Sequence, residues 1–209
     1  MISATDAIQR LQEGNIRFTL NVRGADAFLS QSRREELKEN QAPFAIILGC
    51  ADSRVPAEIV FDQGLGDLFV IRIAGNIVAP SGIGSVEFAA SRFGVRLVVV
   101  LGHSRCGAIL ATLEELQRPT ENQSKNLRSI VDRVRPSVEG LLTVEPRFDM
   151  DSVVKEAVRA NIRASVKNLR RGSEILEQLI QEGNLTIVGA EYSLETGIVE
   201  FLDGAADAI

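Results

Sequence analysis

Histidine occurs once in this chain of 209 residues, cysteine twice, tyrosine once and tryptophan not at all. Two cysteines cannot build a disulfide framework, and a chain this long needs none, since it buries roughly 70% of its unfolded surface. Both cysteines are therefore expected reduced, in a compartment where a thiol serves more often as ligand or catalyst than as a staple. Long apolar runs are also missing. Phe44–Leu48 and Leu97–Leu101 are strand-sized, far short of the roughly 20 residues that span a bilayer. Met1–Phe18 has no basic stretch leading into an apolar core, so no secretory signal is expected. The reading is a cytoplasmic protein with no membrane partner. Basic excess is absent too: the net charge is −5, which argues against nucleic acid as a partner. Arg33–Arg34 and Arg170–Arg171 sit among acidic or amide residues and read as solvated helix faces.

What is present is a regular alternation. Short continuous apolar runs at Phe44–Leu48, Leu68–Ile73, Leu97–Leu101 and Leu185–Val188 have the composition of strands covered on both faces, as in a parallel sheet. Helical stretches are predicted at 56–62, 82–93, 105–117, 124–138 and 150–181. The fold class is α/β: a central, mainly parallel sheet flanked by helices. Ile198–Leu202 is expected to return beside Leu185–Val188 as a C-terminal edge strand. Residues 1–209 are read as one domain. Within it, residues 1–40 form an N-terminal helical arm, expected to pack on a partner subunit, whose stripe of Ala4, Ala7, Ile8, Leu11, Ile16 and Phe18 needs a cover that either a partner or the chain's own domain can give. Ser3 or Thr5 is the expected N-cap, and Gly14 the expected interruption.

The chemistry-bearing residues follow directly on two of the apolar runs. Gly49-Cys50-Ala51-Asp52-Ser53-Arg54-Val55-Pro56 comes after the first, and Gly102-His103-Ser104-Arg105-Cys106-Gly107 after the third. Both precede helices, so both fall at the carboxyl ends of strands, where open α/β sheets place ligands. His103 and Cys106, spaced i, i+3, can bind one ion across a turn, with Cys50 as a third ligand. Two thiolates and one imidazole make a tetrahedral zinc set with a vertex free, the arrangement of a catalytic site. A closed site needs a fourth Cys or His, and the chain has none. Asp52 and Arg54 read as an acid and the guanidinium that grips it, keeping it ionised and off the metal. Gly64-Leu65-Gly66, Gly82-Ile83-Gly84 and Gly75-Asn76 do not match phosphate-loop spacing and read as turns.

These blocks resemble the β-class carbonic anhydrases. The likeness rests on C-A-D-S-R-V-P-A-E at 50–58, G-D-L-F-V-I-R-I-A-G-N at 66–76, G-S-V-E-F-A at 84–89 and G-H-S-R-C-G at 102–107, and it runs over residues 4–203. The resemblance implies one zinc ion per subunit on Cys50, His103 and Cys106, with Asp52 and Arg54 as catalytic dyad. It implies that Asp52 itself ligates zinc in a closed state favoured at lower pH. It also implies reversible hydration of carbon dioxide to bicarbonate and a proton through zinc-bound hydroxide. Gln41 matches a glutamine that reaches a neighbouring subunit's pocket to hydrogen-bond bicarbonate. Phe69 and Phe88 match apolar or aromatic pocket walls, Phe88 standing where plant-type members carry tyrosine, and the Gly107 N–H is expected to face substrate. An obligate homodimer, extendable to a tetramer, follows from a pocket completed across subunits. Members with a bicarbonate-inhibited closed state carry a tryptophan where this chain has Ile47. Arg72 and Tyr192 match the rest of that allosteric site, and the expectation is an open site near pH 8.

Three rivals stand beside this reading. A carbon disulfide or carbonyl sulfide hydrolase would keep fold and metal and change only the substrate. A non-catalytic zinc protein would have no use for Asp52, Arg54 and Gln41 around an open vertex. A thiol redox protein would ordinarily show C-x-x-C rather than H-x-x-C, although oxidation after metal loss would pair Cys50 with Cys106.

Overall fold

A computed structural model of the chain describes residues 2–22, 31–119, 124–142 and 149–202. Residues 23–30 of the expected arm lie outside that set. Strands β1 (Ala45–Gly49), β2 (Leu68–Arg72), β3 (Leu97–His103), β4 (Thr186–Tyr192) and β5 (Val199–Phe201) form one sheet in the order β2-β1-β3-β4-β5. The first four strands run parallel, and β5 pairs antiparallel with β4 as the expected edge strand. All five residues of β1 and all seven of β3 are buried, which is why their sequences do not alternate.

The two faces carry separate cores. Ile46, Leu48, Val98, Val100 and Ile187 point into a layer built from α4 (Pro80–Phe93), α5 (Gly107–Gln117), α6 (Lys125–Val138), α7 (Met150–Arg171) and α8 (Glu174–Gln181). Ala45, Ile47, Leu97, Val99 and Leu101 face α1 (Ala4–Thr19) and the short α3 (Ala57–Val60), whereas α2 (Gln31–Glu36) buries no residue. Ser3 caps α1 with a capping box to Asp6. The buried stripe of α1, Ala7, Ile8 and Leu11, lies on the chain's own sheet. Ile16 is exposed and Phe18 half-buried.

Four local expectations change. Gly14 does not interrupt α1: it lets the helix touch the loop after α3, and a Cβ there would lie 1.8 Å from the Phe61 carbonyl oxygen. The stretch 150–181 is two helices, because Ser173 caps a new one by accepting from the Leu176 N–H. Gly82 and Gly84 belong to the opening turns of α4 rather than to a free turn. The predicted helix at 56–62 contracts to the four residues of α3.

Candidate metal centre

Because β1 and β3 are neighbours in parallel register, with Gly49 opposite Leu101, the residues that end them emerge at one rim. β2 lies on the other side of β1, so this rim is the crevice where the chain switches direction across the sheet. Cys50 is the first residue after β1 and His103 the last of β3. Cys106 is the N-cap of α5. Their ligand atoms all lie within 4.8 Å of one another, and all three residues are buried, His103 completely.

The donors are primed in a particular way. His103 Nδ1 is 2.9 Å from the Ser104 carbonyl oxygen. A carbonyl can only accept, so Nδ1 carries the hydrogen and Nε2 is left bare. Nε2 is buried and has no hydrogen-bond partner. Cys50 Sγ lies 3.9 Å from Cys106 Sγ and receives the Gly75 N–H at 3.3 Å. The contact with Cys106 is the main cause that pushes the Cys50 thiol down to about 4, helped by His103 and backbone N–H groups and opposed by burial. Cys106 moves the other way, its proton held by Cys50 and its charge disfavoured by burial. Two thiolates this close tolerate joint ionisation only with a cation between them. A buried orphan imidazole nitrogen and a thiol pair sharing one proton fit a divalent, sulfur-accepting ion, for which zinc is the usual choice.

Beside the cluster, Asp52 places Oδ2 3.8 Å from His103 Nε2. Arg54 grips this carboxylate in two prongs, Nε to Oδ1 at 2.9 Å and Nη2 to Oδ2 at 2.7 Å, and its backbone N–H adds a third bond at 3.0 Å. The Arg54 side chain, first among the causes, holds the Asp52 carboxyl well below the ordinary carboxylate range. Arg72, at the end of β2, donates to the carbonyls of Cys50 at 3.1 Å and Asp52 at 2.6 Å. Here it braces the ligand loop. Tyr192 and Ile47 belong to the core under α1, and Tyr192 lies 6.3 Å from the Phe18 ring.

The remaining sequence candidates fall elsewhere. Phe69, Phe88 and Phe93 form an aromatic group with centroids 5.6–6.3 Å apart. Phe69 is opposite Ile46, three residues of strand below the rim, a span of about 10 Å. Gln41 is exposed and shares a shallow hollow with Arg92 and Phe93. It precedes the amino end of β1, and the five residues of that strand, about 16 Å, separate it from its own Cys50. Gly107 opens α5 beside Cys106, with no atom within 4 Å of where a Cβ would project.

The turn expected at Gly75-Asn76 is present, within Ala74–Asn76, but its part in the site was not anticipated. Gly75 at φ +70° aims its N–H at Cys50. α7 secures the turn from behind: Asn161 donates to the Gly75 carbonyl at 2.8 Å and Ser165 to the Asn76 carbonyl at 3.1 Å. Only the Gly-Asn pair hinted at it, and a turn signal does not say what the turn serves.

Fold and cluster together define an α/β protein with a three-donor, sulfur-rich pocket at the sheet's switch point. The sequence profile of the carbonic anhydrase family matches residues 45–199. Carbonic anhydrase 2 of Mycobacterium tuberculosis is 42% identical over 193 residues, covering 91% of this chain and 89% of that one. The carbonic anhydrase of Mycolicibacterium smegmatis is 41% identical over 203 residues, covering 96% and 94%. Among solved structures, the β-carbonic anhydrase CcaA superposes with a TM-score of 0.74 at 29% identity, covering 96% of this chain and 90% of that one. This chain belongs to the β-class carbonic anhydrase family.

Proposed function

We propose that the protein catalyses the reversible hydration of carbon dioxide to bicarbonate and a proton, with one zinc ion held by Cys50, His103 and Cys106. The observation that carries the reading is the bare, buried His103 Nε2 beside two thiols and an arginine-held carboxylate. Bound zinc supplies a water whose pKa falls from about 15.7 to near 7. Asp52, kept ionised by Arg54, accepts a hydrogen bond from the attacking water and turns its lone pair toward carbon dioxide. Released from Arg54, the ionised carboxylate of Asp52 would be free to turn toward the metal in a closed state favoured at lower pH. The Gly107 N–H, unpaired within the first turn of α5, faces the developing bicarbonate.

Gln41 and the wall of Phe69 and Phe88 act across a subunit boundary. Gln41 stands at the wrong end of β1 for its own cluster, so its hydrogen bond to bicarbonate goes to a neighbour's site. The single domain thus works as a homodimer, with residues 1–40 as the arm that contacts the partner. Ile16, Leu20 and Val22, all more than half exposed, give that arm an apolar surface. The β-carbonic anhydrases of Sordaria macrospora are described as tetrameric, and pairing of dimers is proposed here as well. No helix among the described residues is long and apolar enough to cross a membrane. Two free buried thiols suit a reducing cytoplasm.

Metal analysis and carbon dioxide hydration on reduced protein test the proposal, with carbon disulfide assayed alongside. One zinc per chain and hydration of carbon dioxide are expected. Asp52→Asn should retain the metal and lose most of the rate. Protein that is metal-free when purified reduced, or zinc-loaded and inert toward carbon dioxide, refutes it.

A further inference from the structure

Between the two ligands His103 and Cys106 lie Ser104 and Arg105, and both are tied to the β4–β5 hairpin. The Ser104 N–H donates to the Tyr192 carbonyl at 2.9 Å. Its hydroxyl accepts the Leu194 N–H at 2.9 Å and donates to Glu195 Oε2 at 2.7 Å. Arg105 meets the other oxygen of that carboxylate, Nε to Oε1, at 3.0 Å. The Glu195 carboxylate therefore grips the residues on both sides of one peptide bond, Ser104–Arg105. The carbonyl of that peptide is the acceptor for His103 Nδ1.

The peptide needs such a grip. Arg105 has φ +54°, a left-handed conformation that costs a residue with a Cβ on the order of 1 kcal/mol and persists only where surroundings enforce it. An exposed arginine–carboxylate pair alone contributes little to stability. The charge-assisted bond from the half-buried Ser104 hydroxyl is stronger and directional. The hairpin end of the grip is itself fixed. The Gly197 N–H returns to the Ser193 carbonyl at 2.9 Å. Asn15 of α1 takes the Val199 N–H at 2.8 Å and donates to the Gly197 carbonyl at 2.9 Å.

We propose that Glu195, acting through Ser104, is a positioning residue for the metal ligand His103. By fixing the plane of the Ser104–Arg105 peptide it holds the carbonyl that receives Nδ1–H. That carbonyl sets the ring's tautomer and points Nε2 at the ion. Partners of a ligating histidine typically change metal affinity by roughly 10–100-fold when removed. The inference rests on the zinc reading of the cluster, yet it fails separately from it: wild-type protein that binds no zinc defeats the zinc reading, not this one.

The test measures zinc affinity by chelator competition, together with the melting temperature of the metal-free protein. Glu195→Ala should lower affinity roughly 10-fold or more while lowering the metal-free melting temperature only slightly, since the lost bond is partly offset by relief of the Arg105 strain. Glu195→Gln, which keeps an acceptor for the Ser104 hydroxyl, should recover most of the loss. Thr196→Ala removes only the hairpin's own acceptor for the Ile198 N–H and should bind zinc like wild type. In cobalt-loaded protein, Glu195→Ala should alter the ligand-field bands and Thr196→Ala should not. The proposal is overturned if wild-type zinc affinity survives Glu195→Ala within about twofold. It is overturned equally if Thr196→Ala weakens zinc to the same extent.

Discussion

Gly102→Ala is the substitution that best probes how the fold aims the cluster. Gly102 immediately precedes His103, and α7 crosses it through Ile162, which is fully buried. A Cβ at Gly102 would lie 2.5 Å from Ile162 Cδ1 and 2.6 Å from Cγ1, while Ile162 Cγ2 already sits over Gly189 of β4 at 2.7 Å from where its Cβ would be. Ile162 is thus seated on two glycines and has no free direction in which to yield. Replacing a strand glycine by alanine gains about 0.5–1 kcal/mol of conformational entropy, but overpacking costs about 1–3 kcal/mol. A net loss of about 1–2 kcal/mol is expected. Ile162→Ala alone should cost about 2–5 kcal/mol. In the double variant the new methyl occupies part of the vacated space, so the sum of the single losses should exceed the measured loss by at least about 1 kcal/mol. Urea unfolding of the metal-free protein measures all three, and zinc affinity should fall in the single Gly102→Ala variant because the displaced β3 carries His103. Additivity within about 0.5 kcal/mol, or a neutral Gly102→Ala, refutes this account of the packing.

Three more outcomes follow from the same structure. Asn15→Ala removes bonds to the Val60 and Gly197 carbonyls and the Val199 N–H, and should cost about 2–4 kcal/mol in chemical unfolding. In metal-free reduced protein, ultraviolet thiolate absorbance should show one ionisation near pH 4, that of Cys50, and no second one up to the ordinary cysteine value of 9.0. The native state then binds one proton fewer than the unfolded chain between about 4 and 9.0, so this thiol adds stability as pH rises through that window and loses it as pH falls to 4. Above the window Cys106, pushed up, acts oppositely, and paired titration of both thiols near 9.0 would contradict the shared proton. Lastly, the one histidine is committed to the cluster and cannot shuttle protons, so carbon dioxide hydration near pH 8 should rise with buffer concentration; a rate indifferent to buffer counts against the mechanism.

Much of this was legible in the residues. Unbroken apolar runs in β1 and β3 announced strands buried on both faces. The motifs that end those runs had to share a rim once the strands were neighbours and parallel. The i, i+3 spacing of His103 and Cys106, with no other histidine in the chain, singled out residues that the fold brings together with Cys50 in one buried cluster. Asp52 and Arg54 were readable for the same reason, since a carboxylate and a guanidinium two apart in one loop find each other locally.

Contacts between segments distant in sequence were not readable. Nothing local in Gly75 says that its N–H meets Cys50, and nothing in Glu195 says that it closes on Ser104 ninety-one positions earlier. Nothing local in Arg72 says that it donates to the carbonyls of Cys50 and Asp52, twenty-two and twenty positions earlier. Gln41 was matched to a neighbouring subunit's pocket by resemblance alone, and only the direction of β1 puts it at the far end of the strand from its own Cys50. A sequence determines which groups are available and how each short stretch bends. Which of them meet depends on strand order and on helices crossing the sheet, and those are set by burial of the whole chain at once.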